Sequence, residues 1–192
     1  MNNLVFFVVG PSGVGKTFFA KKISQKYNVS FFDTGPILRQ YYSRQKVSVS
    51  FSEWIRSNEN EYGDNFAISC ICKSIQKTYR DNSIIIITGN RCIDGINYMI
   101  DFFKIQKYFI IYLDANYKCI KHNIEKRENV KLNIEEFNSI INGDFSMGLG
   151  DLKQFVLSNP SKCFYIYKEN NYDFNCEKKF ASILKKIYKE DL

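Results

Sequence analysis

The sequence predicts an α/β fold of three layers, in which helices cover both faces of a central parallel sheet of about five strands. Runs of apolar, mostly β-branched or aromatic residues recur along the chain, and segments with helical spacing of apolar residues separate them. Continuous apolar runs are typical of strands that are buried on both faces. Ligands of such sheets bind at the carboxyl ends of the strands, so we expect a functional site there.

Strands and helices alternate over all 192 residues, a usual length for a single domain with one core. We expect strands at 4–9, 29–32, 83–88, 108–113 and 163–167. We expect helices at 15–27, 36–44, 51–79 with a break near Gly63, 96–103, 116–127, 134–141, 149–157 and 177–188. The three prolines are isolated, and no linker or repeat divides the chain.

Composition narrows the class of protein. The six cysteines are scattered and have one histidine as companion, which argues against a zinc site and against a disulfide scaffold. The start of the chain does not resemble a secretion signal, and the apolar run at 4–9 is too short to span a bilayer, so we expect a cytoplasmic protein without a membrane partner. A net charge of +7 suits phosphorylated small molecules and nucleic acid alike.

Residues 10–17 match the phosphate-binding pattern G-x-x-x-x-G-K-[ST], between a predicted strand and a predicted helix. Glycines let the backbone close around an anion, while the amide groups and the start of the helix face it. We expect Lys16 to bridge the β- and γ-phosphates of ATP and the Thr17 hydroxyl to bind Mg²⁺. The predicted nucleotide-binding residues are Gly10, Pro11, Ser12, Gly13, Val14, Gly15, Lys16 and Thr17.

The segment 31–39 contains Asp33-Thr-Gly and Arg39, and it resembles the D-T-G…R segment of cytidylate kinase and related nucleoside monophosphate kinases. The resemblance implies that Asp33 lies near the phosphate loop and that Arg39 grips the phosphate of the acceptor, for which its planar fork is suited. The alternative is that Asp33 caps the helix beginning near Pro36 while Arg39 faces solvent.

A second segment, 84–91, is similar to the G-x-R element of adenylate kinase-like and dephospho-coenzyme A kinase-like proteins. The resemblance implies that Arg91 is a second clamp on the acceptor phosphate. The chain carries Thr88 where many relatives have an aspartate that holds magnesium-bound water. Asp33 or Asp114 would have to replace that acid, and we assign Thr17 and Asp33 to the metal.

The strand at 108–113 and the basic helix after it resemble the approach to the lid of these kinases, which implies a short lid at about 126–134 and a substrate-binding helical region at about 35–80. Lid arginines stabilise charge on the migrating phosphoryl group. Only Arg127 fits that role well, so Lys16 and Arg127 are the predicted catalytic residues. The alternative is a solvated cationic helix face.

The family implies an ATP- and Mg²⁺-dependent phosphotransferase acting on a small phosphorylated metabolite. Cytidine, adenosine and deoxynucleoside monophosphates and dephospho-coenzyme A all fit one aspartate and two arginines. A polynucleotide 5′-kinase is an alternative, in which aromatic residues stack on bases, although most of them fall at core positions. The third hypothesis is a regulatory module that binds ATP with slow turnover. The sequence does not indicate the oligomeric state.

Overall fold

A computed structural model describes residues 3–63, 65–79, 84–169 and 175–190, except the side chains of residues 52 and 188–190. Its centre is one sheet of five parallel strands in the order β2-β3-β1-β4-β5. The strands are β1 (Leu4–Val9), β2 (Ser30–Asp33), β3 (Ile84–Thr88), β4 (Lys107–Ala115) and β5 (Cys163–Lys168). The predicted α/β fold with a parallel sheet is therefore confirmed, although residue 83 of the predicted third strand lies outside the described residues.

Helices connect the strands and cover the sheet. They are α1 (Lys16–Tyr27), α2 (Thr34–Arg44), α3 (Phe51–Tyr62), α4 (Phe66–Gln76), α5 (Ile93–Phe103), α6 (Tyr117–Glu128), α7 (Ile134–Asp144), α8 (Gly150–Ser158) and α9 (Cys176–Glu190). The expected break falls at Gly63, which ends α3 with a φ of 89°. A π-helical turn, Phe145–Leu149, joins α7 to α8. Within the described residues, no helix is long and apolar enough to cross a membrane.

The side chains of β1 show how the sheet divides the core into two apolar layers. Val5, Phe7 and Val9 point to one face, where they pack with residues of α2, α4, α5 and α8. Phe6 and Val8 point to the other face, with residues of α1, α6, α7 and α9. Burial on both faces is the reason that the strands are continuous apolar runs.

The strand register brings the functional segments to one edge of the sheet. Near the carboxyl end of β1, Val8 lies between Thr88 of β3 and Ile111 of β4. Asp33, the last residue of β2, is the register partner of Thr88. The loops that leave β1, β2 and β3 therefore start next to one another, whereas β4 continues from Tyr112, the partner of Val9, to Ala115.

Ile86 tests the contribution of the central strands to stability. Its side chain is fully buried in β3, and truncation of such a residue leaves a cavity. We expect Ile86→Ala to lower the free energy of unfolding by about 2–5 kcal/mol in urea denaturation. Ile134→Ala is the matched control, since Ile134 is 72% exposed, and we expect a change within about 0.5 kcal/mol. Equal effects of both substitutions would contradict the described core.

Candidate functional site

The predicted phosphate loop connects β1 to α1 and packs directly on the backbone of β4. Gly10 has a φ of 137°, and a Cβ added there would lie 2.1 Å from the carbonyl oxygen of Leu113. No other residue type fits at this position. At its other end, Gly15 precedes the first residue of α1, so the unpaired amide groups of this helix start face the loop.

The side chain of Lys16 turns back to the first residues of the phosphate loop. Its ammonium group donates hydrogen bonds to the carbonyl oxygens of Gly10, at 2.7 Å, and Pro11, at 2.9 Å. Burial lowers the pKa of Lys16 to about 8, because the protein replaces water around the charge. An anion at the loop would restore a favourable environment for this charge.

Four charged side chains lie close enough to Lys16 to act on its pKa. Asp144 and Asp33 raise the pKa, whereas the positive charges of Arg91 and Arg127 lower it. Three of these four groups, Asp33, Arg91 and Arg127, were predicted from the sequence. Asp33 and Arg91 also hydrogen-bond to the loop, at Thr17 and Ser12, whereas the link of Arg127 to Lys16 is electrostatic.

Asp33 contacts the loop through Thr17. The Thr17 hydroxyl donates to the Asp33 carboxylate at 2.6 Å, and Asp33 makes no side-chain hydrogen bond as a cap of α2. Asp33 does occupy the N-cap position of α2, but its carboxylate binds Thr17 and does not cap the helix. Because Asp33 is also the strand partner of Thr88, it stands beside the position where relatives carry the missing acid.

The carboxylate of Asp114 is hydrogen-bonded to side chains outside the phosphate loop. Its carboxylate accepts hydrogen bonds from Lys153 at 2.8 Å and from the Tyr165 hydroxyl at 2.6 Å. Of the two acids considered for the metal, Asp33 is the one in contact with the loop. A hydroxyl and a carboxylate are oxygen donors of the kind that Mg²⁺ prefers, with phosphates and water completing its shell.

Arg91 reaches the loop from the segment after β3. Its Nε lies 3.0 Å from the carboxylate of Asp144. Its two terminal nitrogens contact the Ser12 hydroxyl, at 3.2 Å, and the sulfur of Met147, at 3.0 Å. The guanidinium group is therefore held beside the first turn of the phosphate loop.

Asp144 is a site residue that sequence reasoning missed. It is the last residue of α7 and is 2% exposed. Its carboxylate accepts from the Ser12 amide at 2.5 Å and from the Ser12 hydroxyl at 3.0 Å. The pairing spans 132 positions, so no local pattern shows it.

Arg39 is not brought to the loop. It is exposed on α2, and its guanidinium group stacks over the ring of Phe51, 4.9 Å from the ring centre. This arrangement agrees with the alternative in which Arg39 faces solvent.

Arg127 lies in the last turn of α6 and pairs with the neighbouring Glu128 at 2.7 Å. Its side chain is 60% exposed. The predicted lid at 126–134 comprises the end of α6, the loop 129–133 and the first residue of α7. The Leu132 amide donates to Glu125 at 2.9 Å, which ties this loop to α6.

Lys168 and Asn123 also form hydrogen bonds with the backbone of the loop, and neither was predicted from the sequence. The ammonium group of Lys168 donates to the carbonyl oxygen of Val14 at 3.0 Å, and the Asn123 amide donates to that of Gly13 at 2.8 Å. Burial lowers the pKa of Lys168. Lys168 is the last residue of β5, and residues 170–174 lie outside the described residues.

A cavity of about 270 Å³ borders the loop at Pro11, between the ends of β4 and β5. Its wall includes the aromatic side chains of Tyr112, Phe145 and Tyr167, and the Lys153–Asp114 pair also lines it. Of the predicted site residues, the cavity touches only Pro11. It is therefore a neighbour of the phosphate loop rather than its anion site.

Comparison with protein families shows a match to an AAA domain model over residues 9–139, which is more than half of the chain. An adenylate kinase from Mycoplasmopsis pulmonis (strain UAB CTIP) is 27% identical over 124 residues. That match covers 64% of this chain and 58% of the relative, so the chain spans less than two thirds of the relative's length.

Solved structures of kinases share the fold. A shikimate kinase from Acinetobacter baumannii in complex with shikimate gives a TM-score of 0.57 at 18% identity, with 98% of this chain and 94% of that chain covered. A gluconokinase from Sinorhizobium meliloti 1021 gives 0.57 at 8% identity, with 100% and 98% covered. The chain belongs to the AAA domain family. Its likeness to an adenylate kinase and its fold, which it shares with solved kinases, support the resemblance drawn from the motifs.

Proposed function

We propose that the chain is an ATP-dependent phosphotransferase whose acceptor is a small phosphorylated metabolite, a nucleoside or deoxynucleoside monophosphate. The observation that carries the proposal is the convergence of Lys16, Asp33 and Arg91 on one phosphate loop. Phosphoryl transfer requires a cation at the donor phosphates, oxygen ligands for a metal ion and a cation that binds the acceptor phosphate. Lys16, Asp33 and Arg91 offer these three functions in that order.

The donor phosphates would bind the loop. Its amide groups and the start of α1 supply partial positive charge. Lys16 would exchange the carbonyl oxygens of Gly10 and Pro11 for phosphate oxygens. The backbone of β4 supports the loop from beneath through its close contact at Gly10, so the amide groups are held in place before ATP arrives.

Thr17 and Asp33 would hold Mg²⁺ through the hydroxyl and carboxylate oxygens that now contact each other. When bound, Mg²⁺ neutralises the charge that develops on the transferred phosphoryl group. Asp33 thereby takes the place of the acid that Thr88 does not provide.

Arg91 would hold the acceptor phosphate next to the loop. Arg39 belongs to α2, which begins directly after Asp33, and we assign it to the acceptor as a second contact, made after its guanidinium group leaves Phe51. Arg127 would add positive charge from the end of α6. Little covalent chemistry is asked of these residues, because positioning and electrostatic stabilisation supply most of the rate.

A regulatory module that binds ATP with slow turnover is the second candidate. One observation favours it: α7, which follows the predicted lid, contains no lysine or arginine. Arg127 is then the one arginine of the lid segment, and it is paired with Glu128.

Release of ADP tests the proposed activity. We expect one acceptor from a panel of nucleoside monophosphates, dephospho-coenzyme A and a 5′-hydroxyl oligonucleotide to accelerate ADP release from ATP and Mg²⁺. Lys16→Ala should reduce that rate by roughly 100-fold or more, because it removes a charge from the transition state. Lys21→Ala, at an exposed position of α1, is the matched control and should have no effect.

Arg39→Ala and Arg91→Ala should each raise the KM of the acceptor by roughly tenfold, as expected for loss of a charged hydrogen bond. Unchanged acceptor kinetics in the double variant would contradict the assigned acceptor site. Tight ATP binding without stimulation by any member of the panel would favour the regulatory module.

The pKa of Lys16 predicts the pH dependence of ATP binding. Below pH 8 the ammonium group is already charged, so the affinity should be constant with respect to this group. Bound phosphates favour the charged form and raise the pKa in the complex. Above pH 8, binding must therefore take up a proton, and we expect the affinity to fall by up to about tenfold per pH unit.

Isothermal titration calorimetry between pH 7 and 9.5 measures this dependence. The terminal phosphate of ATP is fully ionised over most of this pH range. Lys16→Arg is the control, since a guanidinium group stays charged in this range. A wild-type affinity that stays constant up to pH 9.5 would show that the ammonium group of Lys16 does not titrate on binding.

A further inference from the structure

Asp144 is a buried carboxylate that joins two separate parts of the site. It connects the amide and hydroxyl of Ser12, in the phosphate loop, with the Nε of Arg91, in the segment after β3. A buried carboxylate without partners would be strongly unfavourable. These three donors compensate for that cost.

The segment that begins with Asp144 holds Arg91 at two points. Asp144 contacts the Nε, and Met147, in the π-helical turn, contacts one terminal nitrogen. The same turn packs closely on the neighbour of Arg91, since a Cβ added to Gly148 would lie 3.0 Å from the Cβ of Cys92. The other terminal nitrogen donates a hydrogen bond to the hydroxyl of Ser12.

These contacts leave part of the guanidinium group available. An arginine has five N–H groups in a fixed planar arrangement, and Arg91 uses one on each of its three nitrogens. Among the described residues, one N–H on each terminal nitrogen has no partner and is available to an anion. The side chain is 35% exposed, whereas that of Asp144 is 2% exposed, so the arginine is open to a ligand and its anchor is not.

We propose that Asp144 is a positioning residue that fixes the guanidinium group of Arg91 for an anion bound next to the phosphate loop. The inference rests on the anion-binding role of Arg91 in the proposed function. Through Ser12, the same carboxylate ties that clamp to the loop, so the distance between donor and acceptor phosphates is set by α7.

The test follows the Nε–H signal of Arg91 by NMR in the ¹⁵N-labelled full chain, with assignment by its loss in Arg91→Lys. The probe is inorganic phosphate, added to protein whose loop is filled with Mg²⁺ and ADP. In the wild type we expect slow exchange of the Nε–H with water and a shift of the signal on addition of phosphate. Asp144→Asn should accelerate exchange and weaken phosphate binding, each by roughly tenfold, since it removes a charged hydrogen bond.

Two controls separate positioning from general damage. Asp151→Asn removes an exposed acid of α8 and should change neither quantity, and thermal unfolding reports the stability of every variant. In the Arg91→Lys background, phosphate affinity is followed by the backbone amide signals of residues 10–17. There Asp144→Asn should have little further effect on that affinity, because residues that act as a unit are not additive. If Asp144→Asn does not fold, Asp144→Glu, which displaces the carboxylate, should change both quantities in the same direction.

Unchanged exchange and unchanged phosphate affinity in Asp144→Asn would overturn the proposal. Effects that add fully to those of Arg91→Lys would also overturn it, as would a wild type that binds no phosphate beside Mg²⁺ and ADP. None of these readouts requires turnover. A failure of the acceptor panel would therefore count against the kinase activity and not against the role of Asp144.

Discussion

The ammonium group of Lys16 is the feature around which the site is organised. A lysine surrounded by protein tends to lose its charge, and phosphate binding requires that the charge be kept. The loop carbonyls of Gly10 and Pro11 and the nearby carboxylates of Asp144 and Asp33 favour the charged form. Arg91 and Arg127 oppose it. The carboxylates of Asp144 and Asp33 therefore offset the repulsion among the positive charges that surround the phosphate loop.

The sheet places these groups without long loops. Asp33 and Thr88 end neighbouring strands in register, and Arg91 follows Thr88 by three residues. A carboxylate on β2 can therefore serve a position at which β3 offers only a threonine. The buried hydroxyl of Thr88 has no hydrogen-bond partner among the described residues.

Local patterns predicted those parts of the structure that local forces determine. The strands are continuous apolar runs, and the phosphate loop is fixed by glycine, lysine and threonine at set spacing, so residues 10–17 could be placed from the sequence. Asp33 and Arg91 were placed by the resemblance to nucleoside monophosphate kinases. Asp144 could not, because its contact with Ser12 depends on how α7 packs after the whole sheet has formed. The orientation of Arg39 depends in the same way on α3, which supplies Phe51. Asn123 and Lys168, which brace the loop, likewise come from distant elements.

The most direct test of the central claim is a crystal structure of the chain with Mg²⁺ and a non-hydrolysable ATP analogue. The account predicts that the ammonium group of Lys16 leaves the carbonyl oxygens of Gly10 and Pro11 for the β- and γ-phosphates, with Mg²⁺ held at Thr17 and Asp33. Phosphates bound away from residues 10–17, with Lys16 still on those carbonyl oxygens, would contradict it.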